Sequence, residues 1–425
     1  MINLIKKILF QNNITNNFAI NINKINLDTK VSKIFYAISE YSEKSEIRFV
    51  GGCIRKILNN EQFDDIDLAT NLKPNEVIEA LQKNHIKFYK TGIDHGTITA
   101  NIDGKNFEIT SLRKDISTDG RHAKIEFSED WYEDAARRDF TINSIYSDLE
   151  GNLYDPFDGK NDLEKKIVRF IGNPEKRIKE DYLRILRYIR FFLDYSSLKH
   201  DDSLLKIIKK NLKGISRISS DRLLGELKKI LNSNNISKLI SDKFSLEIIQ
   251  LIFPQLKNIK ILKKINKYRD EIYLKKDFIF LIALMIIDDS DNCEYFLYKY
   301  NVSNDDKKRI MLIKNISSKL NEKNFFAEKN LWKMFYIYGK NSLIDIINFE
   351  IFNSKKNDDK KLFKLREFFI NQSPPVFPIK ARDLIHKYNL KEGRELGQKL
   401  KKIENIWIEN NFKIKQFEID KIIEV

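Results

Sequence analysis

"RFVGGCIRKILNNEQFDDIDLAT" (residues 48–70) is the stretch on which the fold of the N-terminal part turns. A short apolar run enters Gly51 and Gly52, and a helix is expected from Cys53 onward. Glycines at such a turn let the backbone approach a phosphate, and the amides at the start of the helix would face its charge. Asp65 and Asp67 follow, two apart in an expected strand, so both carboxylates point to one side while Ile66 and Leu68 face the core. Such a pair repels itself unless a cation lies between its members. Mg2+ that also holds a triphosphate is the economical partner, because it takes few protein carboxylates and completes its shell with phosphate oxygens and water. Asp-x-Asp also occurs in turns that cap helices, so a third acid carries weight. Glu108, in "NFEITSLR" (106–113), alternates with Phe107 and Ile109 and can join the pair from a neighbouring strand.

Outward from this stretch, "IRFVGG", "DDIDLAT", "TITANI" and "NFEITSL" read as strands with connecting helices, which makes residues 47 to about 148 mixed α and β. Beyond Tyr182 glycine and proline become scarce and the apolar spacing is helical, as in "DRLLGELKKIL" and "LGQKLKKIENIWIENNF". Prolines and glycines punctuate the chain at 150–159 and 371–378. The fold class expected is α+β, an N-terminal head with a small mixed sheet followed by an all-helical C-terminal region. No internal repeat of fixed period is visible.

The chain has 425 residues and a formal net charge of +15, which allows several packed units and suggests a polyanionic partner such as nucleic acid. Lys, Asn and Ile are abundant enough for AT-rich coding to explain the lysines, so the arginines carry more information. Two cysteines, Cys53 and Cys293, exclude a disulfide framework and a zinc-type cluster and fit a reducing cytosol. The longest apolar run, Phe278 to Ile287, is half of what a membrane span needs and reads as a buried helix. Residues 1–27 contain no acid, but also no arginine and no cleavage-like site, so the cytoplasm is the expected location.

Two arginine patterns stand apart. "AARRDFTINSI" (135–145) sets Arg138 and Asp139 just before Asn143; arginine suits phosphate through its planar donor fork, and an Asp or Asn nearby can bind ribose hydroxyls. "KEDYLRILRYIRFF" (179–192) has Asp181 followed at intervals of three by Arg184, Arg187 and Arg190 among apolar residues. On one helix, residues three apart are neighbours, so Asp181 is expected beside Arg184 and Arg184 beside Arg187.

In order along residues 48–231, "GGCIR", "DDIDLAT", "DGRHAKIEFSEDW", "RRDFTINS", "DPFDGKNDLEKKIVRFIGNPEKRIKEDYLRILRYIRF" and "RISSDRLLGEL" resemble the class II CCA tRNA nucleotidyltransferases and the bacterial poly(A) polymerases of the polymerase β-like superfamily. A weaker likeness runs from "PPVFPIKARDL" to "LGQKLKKIENIWI". The resemblance implies an N-terminal extension (1–30), a catalytic head (31–149), a nucleotide-selecting neck (150–235), a helical body (236–370) and a tRNA-binding tail (371–425). It implies Mg2+ on Asp65 and Asp67, which Glu108, placed by its alternation, is expected to join. Nucleotide contacts are implied from Gly52, Arg55, Arg138, Asp139, Asn143, Asp181, Arg184, Arg187 and Arg190. Arg113, Asp115 and Arg121 resemble a flexible loop associated with adding the final A. Lys56 stands where the family usually has an acid, and Asp221 where glutamate is more usual.

The expected activity is template-independent addition of CCA to tRNA from CTP and ATP. Cytosine and adenine both offer an exocyclic amine beside a ring-nitrogen acceptor, so an accepting Asp181 and a donating Arg184 suit them and leave groups unpaired against uracil and guanine. Within the same chemistry the alternatives are a poly(A) polymerase or a partial CC- or A-adding enzyme. From another class, a non-catalytic tRNA-binding protein would use the positive charge alone.

Overall fold

In the computed structural model, residues 18–63, 65–118, 123–233, 235–264, 277–288, 290–354 and 360–424 are described. The chain divides into two compact units, residues 1–239 and 240–425.

The first unit is built on a seven-stranded mixed sheet in the order β3-β4-β5-β2-β1-β8-β9. Its strands are β1 (Ile47–Val50), β2 (Asp67–Thr70), β3 (Lys87–Gly92), β4 (Thr97–Ile102), β5 (Lys105–Ser111), β8 (Tyr146–Ser147) and β9 (Leu153–Tyr154). The pairing of β2 with β5 is parallel, whereas β1 runs antiparallel to both β2 and β8. Between β5 and β8 the chain makes a separate two-stranded ribbon, β6 (Arg113–Thr118) with β7 (Ala123–Phe127).

Alternation assigns the two faces of the sheet. Phe49, Leu68, Ile98, Phe107 and Ile109 turn to one side, where they pack with helices Ser32–Ser39, Gly52–Leu58 and Pro74–Lys83. Helix 18–29 joins this core through Phe18, Ile22 and Ile25, so the described part of the stretch expected as an extension belongs to the head. Val50 and Ala69 turn to the other side and pack with Leu112, Trp131, Ala135 and Tyr146. Asp67 and Glu108 share that second side, because each sits one residue from a side chain buried on the first.

Short helices and turns follow. At Gly159 an added Cβ would collide with the Thr141 carbonyl, so only glycine permits this packing against the turn Thr141–Asn143. Helices Pro174–Glu180, Arg184–Tyr195, Asp202–Asn211 and Ser220–Leu231 complete the unit. The α+β fold class holds: after β9 every described regular element is helical.

The second unit is helical throughout its described residues. Phe278–Ile286, the apolar run of the sequence, is a buried helix. The long helix Glu328–Asn353 is broken at Gly339, whose φ of 78° is glycine territory. Arg309 holds this unit together at two points, donating to Asp277 at 2.6 Å and to Asp345 at 2.7 Å. Leu384, Leu396, Ile403, Ile419 and Ile423 form a small core of the last three helices. Among the described residues no helix is long and apolar enough to cross a membrane.

Candidate active site

β1 delivers the chain to Gly51, whose φ of 72° and ψ of −120° are open to glycine and strained for other residues. A Cβ there would also stand 3.4 Å from Nη1 of Arg138. The helix that opens at Gly52 carries Arg55 one turn on, where its buried guanidinium donates to the Asn143 side chain and lies over the rings of Phe191 and Tyr195 at 4.8 and 4.9 Å. Nε of Arg55 makes no hydrogen bond within the described residues.

β2 begins at Asp67, so Asp65 stands in the loop before it and not two places along the same strand. The acids nevertheless act on each other. Asp67 is opposite Glu108 in the parallel β2–β5 register. Burial pushes the Asp67 carboxyl above its ordinary range, Glu108 and Asp65 push it further, and Arg138 and Arg55 pull it back. A cation among these oxygens would relieve that repulsion, and carboxylate oxygen is the donor Mg2+ prefers, so the residues fit the ion. No three acidic, thiol or imidazole groups converge on a metal position among the described residues. The remaining ligands would have to come from substrate and water.

Behind Asp67, a network anchors the arginine pair. Asp134, on helix Trp131–Ala136, accepts from Arg137 Nη2 at 2.7 Å, from Arg138 Nη2 at 3.1 Å and from the Tyr146 hydroxyl at 2.7 Å. Burial opposes its ionisation, yet Arg138 and Arg137 hold the carboxyl well below the usual carboxylate range. Arg138 is thereby fixed with its guanidinium beside Gly51. Asp139 accepts from Asn143 at 2.8 Å and from Arg187 Nε at 2.6 Å. Burial would raise its carboxyl, but Arg187, Asn143 and Arg184 outweigh that and hold it down at about 2.

The arginine comb differs from the sequence expectation in one respect. Asp181 closes helix Pro174–Glu180 in an extended conformation (φ −152°, ψ 104°), and a new helix opens at Arg184. The Asp181 carboxylate accepts the Leu183 backbone N–H at 3.1 Å and Arg222 Nη2 at 2.7 Å. Arg184 turns to Glu180 at 2.7 Å and to the Arg177 carbonyl at 2.8 Å. Asp181 and Arg184 therefore meet across a turn, where the Arg184 N–H donates to the Asp181 carbonyl at 3.0 Å, but their side chains take other partners. Arg190 donates to the buried Glu226 at 2.5 Å.

These elements enclose a cleft of about 540 Å³. Gly52, Arg55, Asp67, Arg138 and Asp139 line it from the head, together with Asn143. Asp181, Arg184, Arg187 and Arg190 line it from the helices that follow. Of the expected residues, Asp65 and Glu108 stay outside its lining and reach it through Asp67. Arg113 lies on β6 and donates to the His95 carbonyl, Asp115 pairs in register with Ile125 of β7, and Arg121 falls outside the described residues. Arg137, Arg222 and Lys229 were not among the expected site residues and line the cleft too. In the sequence, Arg222 and Glu226 are four apart and carry charges opposite to Asp181 and Arg190, a mirrored pattern that could have revealed them. Eight cations (Arg55, Arg137, Arg138, Arg184, Arg187, Arg190, Arg222, Lys229) face three carboxylates (Asp67, Asp139, Asp181) in the lining, a balance that suits a polyphosphate.

Residues 47–169 match the family described as "Poly A polymerase head domain", and residues 199–260 match "Probable RNA and SrmB- binding site of polymerase A". The chain is 34% identical over 383 residues to "CCA tRNA nucleotidyltransferase 1, mitochondrial" of Mus musculus, covering 89% of this chain and 86% of that protein. It is 29% identical to the "CCA-adding enzyme" of Staphylococcus haemolyticus, with 84% and 88% covered. Its fold is similar to that of the Bacillus stearothermophilus CCA-adding enzyme solved with CTP (TM-score 0.72, 21% identity, 93% of this chain and 96% of that one). It is also similar to the Thermotoga maritima CCA-adding enzyme complexed with tRNA (TM-score 0.63, 19% identity, 95% and 97% covered).

Proposed function

This chain belongs to the CCA tRNA nucleotidyltransferase family, and we propose that it completes tRNA 3′ ends with C, C and A from CTP and ATP, Asp65 and Asp67 holding Mg2+. The observation that carries this reading is one cleft lined by Asp67, by the guanidinium groups of Arg55, Arg138, Arg187 and Arg190, and by the Asp181–Arg184 turn. When bound, Mg2+ would neutralise the departing pyrophosphate and lower the cost of bringing the 3′ hydroxyl against the α-phosphate.

Each protein group has its own task. Arg55, with one donor free, and the anchored Arg138 bind the triphosphate. Asp139 and Asn143, tied to each other, present oxygen atoms to the ribose. Asp181 accepts the exocyclic amine of cytosine or adenine, and Arg184, on leaving Glu180, donates to the adjacent ring acceptor. Uracil and guanine would leave those groups unpaired, a mismatch worth orders of magnitude in a site built for hydrogen bonding. The chemistry is in-line displacement by positioning, with no covalent enzyme intermediate. Buried, free Cys53 and Cys293 suit a reducing compartment such as the cytoplasm.

The test uses a tRNA transcript lacking its CCA end, Mg2+, single triphosphates and the CTP and ATP pair, with product ends sequenced. CTP alone should stop after two additions and the pair after three. A long tail from ATP alone would make the protein a poly(A) polymerase. One or two C residues with no A from the pair would make it a partial enzyme, and no addition would leave a tRNA-binding protein.

A further inference from the structure

We propose that the segment from Gly214 to Arg222, outside the turn that faces the base, is a positioning device for nucleotide selection: it clamps the Asp181 turn at two points and so fixes which carboxylate lone pairs face the cleft. This rests on the reading of Asp181 as the base-selecting acceptor.

The first point is electrostatic. Arg222 Nη2 donates to Oδ2 of Asp181 at 2.7 Å, while Oδ1 of the same carboxylate accepts the Leu183 N–H at 3.1 Å. With one anchor on each oxygen, the plane of the carboxylate is set and rotation about its last bond is lost. The lone pairs left over then point in fixed directions, which a hydrogen-bonding selector requires. Both groups line the cleft, so the clamp acts where a base would lie.

The second point is steric. Tyr182 follows Asp181 directly, and its ring packs flat on Gly214 so closely that a Cβ there would collide with the ring. Arg217 lies over the same ring, 5.7 Å from its centroid. Gly214 and Arg217 belong to the 3-10 turn Leu212–Arg217, and Arg222 belongs to the helix that begins at Ser220. One short segment therefore grips the residue that selects and the residue next to it. The same helix grips once more further on, through Glu226 and Arg190 at 2.5 Å, which fixes its register along helix Arg184–Tyr195. With neither clamp, Asp181 would keep its charge but lose its orientation.

Loss of orientation has a signature distinct from loss of structure. An Asp181 free to rotate can also meet a base whose donor is a ring N–H, as in uracil, so selection falls while chemistry continues. The experiment compares kcat/KM for CTP and UTP on tRNA lacking its CCA end, in the wild type, Arg222→Ala, Asp181→Ala and the double variant. The expected result is a CTP:UTP ratio about tenfold lower in Arg222→Ala, the size of one lost charged hydrogen bond. No further fall is expected when Arg222→Ala is added to Asp181→Ala, because Arg222 acts through Asp181. Gly214→Ala should lower the ratio in the same direction, and Arg222→Lys should recover most of it. If Arg222→Ala does not fold, Gly214→Ala decides: a wild-type ratio in Gly214→Ala overturns the clamp, and a lowered ratio supports it. An equal fall for CTP and UTP in Arg222→Ala, or additive effects in the double variant, also overturns it. Failure of the wild type to add C would sink the reading of the site itself, a different outcome from C addition with undisturbed selection.

Discussion

In the proposed reaction, Asp67 is the residue on which the chemistry converges. It is at the first position of β2, opposite Glu108, with two guanidinium groups near enough to influence its ionisation. Asp67→Ala should lower incorporation roughly a thousandfold, the several kcal/mol that a metal site supplies to a transition state, while tRNA binding by filter retention stays near the wild-type value. Incorporation should likewise vanish with a chelator and return with added Mg2+. Asp139 offers a reading in acid. Its carboxyl is at about 2 against an ordinary 3.8, so the charged form is favoured by folding. A depressed pKa gives stability that is fully present above pH 4 and is lost as the pH falls towards 2. The amount is on the order of 2 kcal/mol. Urea midpoints measured from pH 6 down to pH 2 should drop more steeply for the wild type than for Asp139→Asn in that window.

At the scale of elements, buried charge pairs join helix to helix. Glu226 is buried and Arg190 largely so, and removing Glu226 leaves Arg190 without its carboxylate. Glu226→Ala should cost about 3–5 kcal/mol in thermal or urea unfolding, whereas the double variant Arg190→Met/Glu226→Met should recover most of it, because an apolar pair of similar volume needs no solvation. This scale is also where the sequence was readable in one way and opaque in another. The strands β4 and β5 announced themselves by alternation, since one face of each is buried, and β1 and β2, covered on both faces, as short apolar runs beside glycine or acid. β3, "KFYKTG", is an exposed edge strand whose lysines hide the pattern, and the β6–β7 ribbon is too charged to read as sheet. Three-residue spacing placed Asp181 and Arg184 on one helix, but a short acid side chain can take the backbone N–H two residues on for itself. Asp181 does so with Leu183 and breaks the helix there. Arg138 was legible because an acid, Asp139, follows it, and Arg55 only through the likeness that "GGCIR" bears to a known family; Arg222 was not, because its partner is 41 residues away.

For the whole molecule, the net charge of +15 sets the response to salt. With about six phosphate contacts, tRNA affinity should fall on the order of 10³-fold between about 50 and 200 mM salt, and a plot of log Kd against log salt measures the number of ions released. A flat plot would mean that the lysine excess is a matter of coding bias and has no part in RNA binding. The alpha-helical half announced itself by composition alone, through scarce glycine and proline and a steady 3.6-residue rhythm, yet the break at Gly339 inside Glu328–Asn353 gave no signal beyond one glycine.

Two arginines of the cleft have anionic companions that a ligand can take over: Arg187 has Asp139 and Arg184 has Glu180. A phosphate or base that takes one of these guanidinium groups displaces a carboxylate, and the carboxylate reclaims it when the ligand leaves. Partner exchange of this kind subtracts from affinity at every step and so keeps residence times short. A catalyst that handles one nucleotide, then the same again, then another, works as a set of spring-loaded grips, and the turnover it gains is the tightness it gives up.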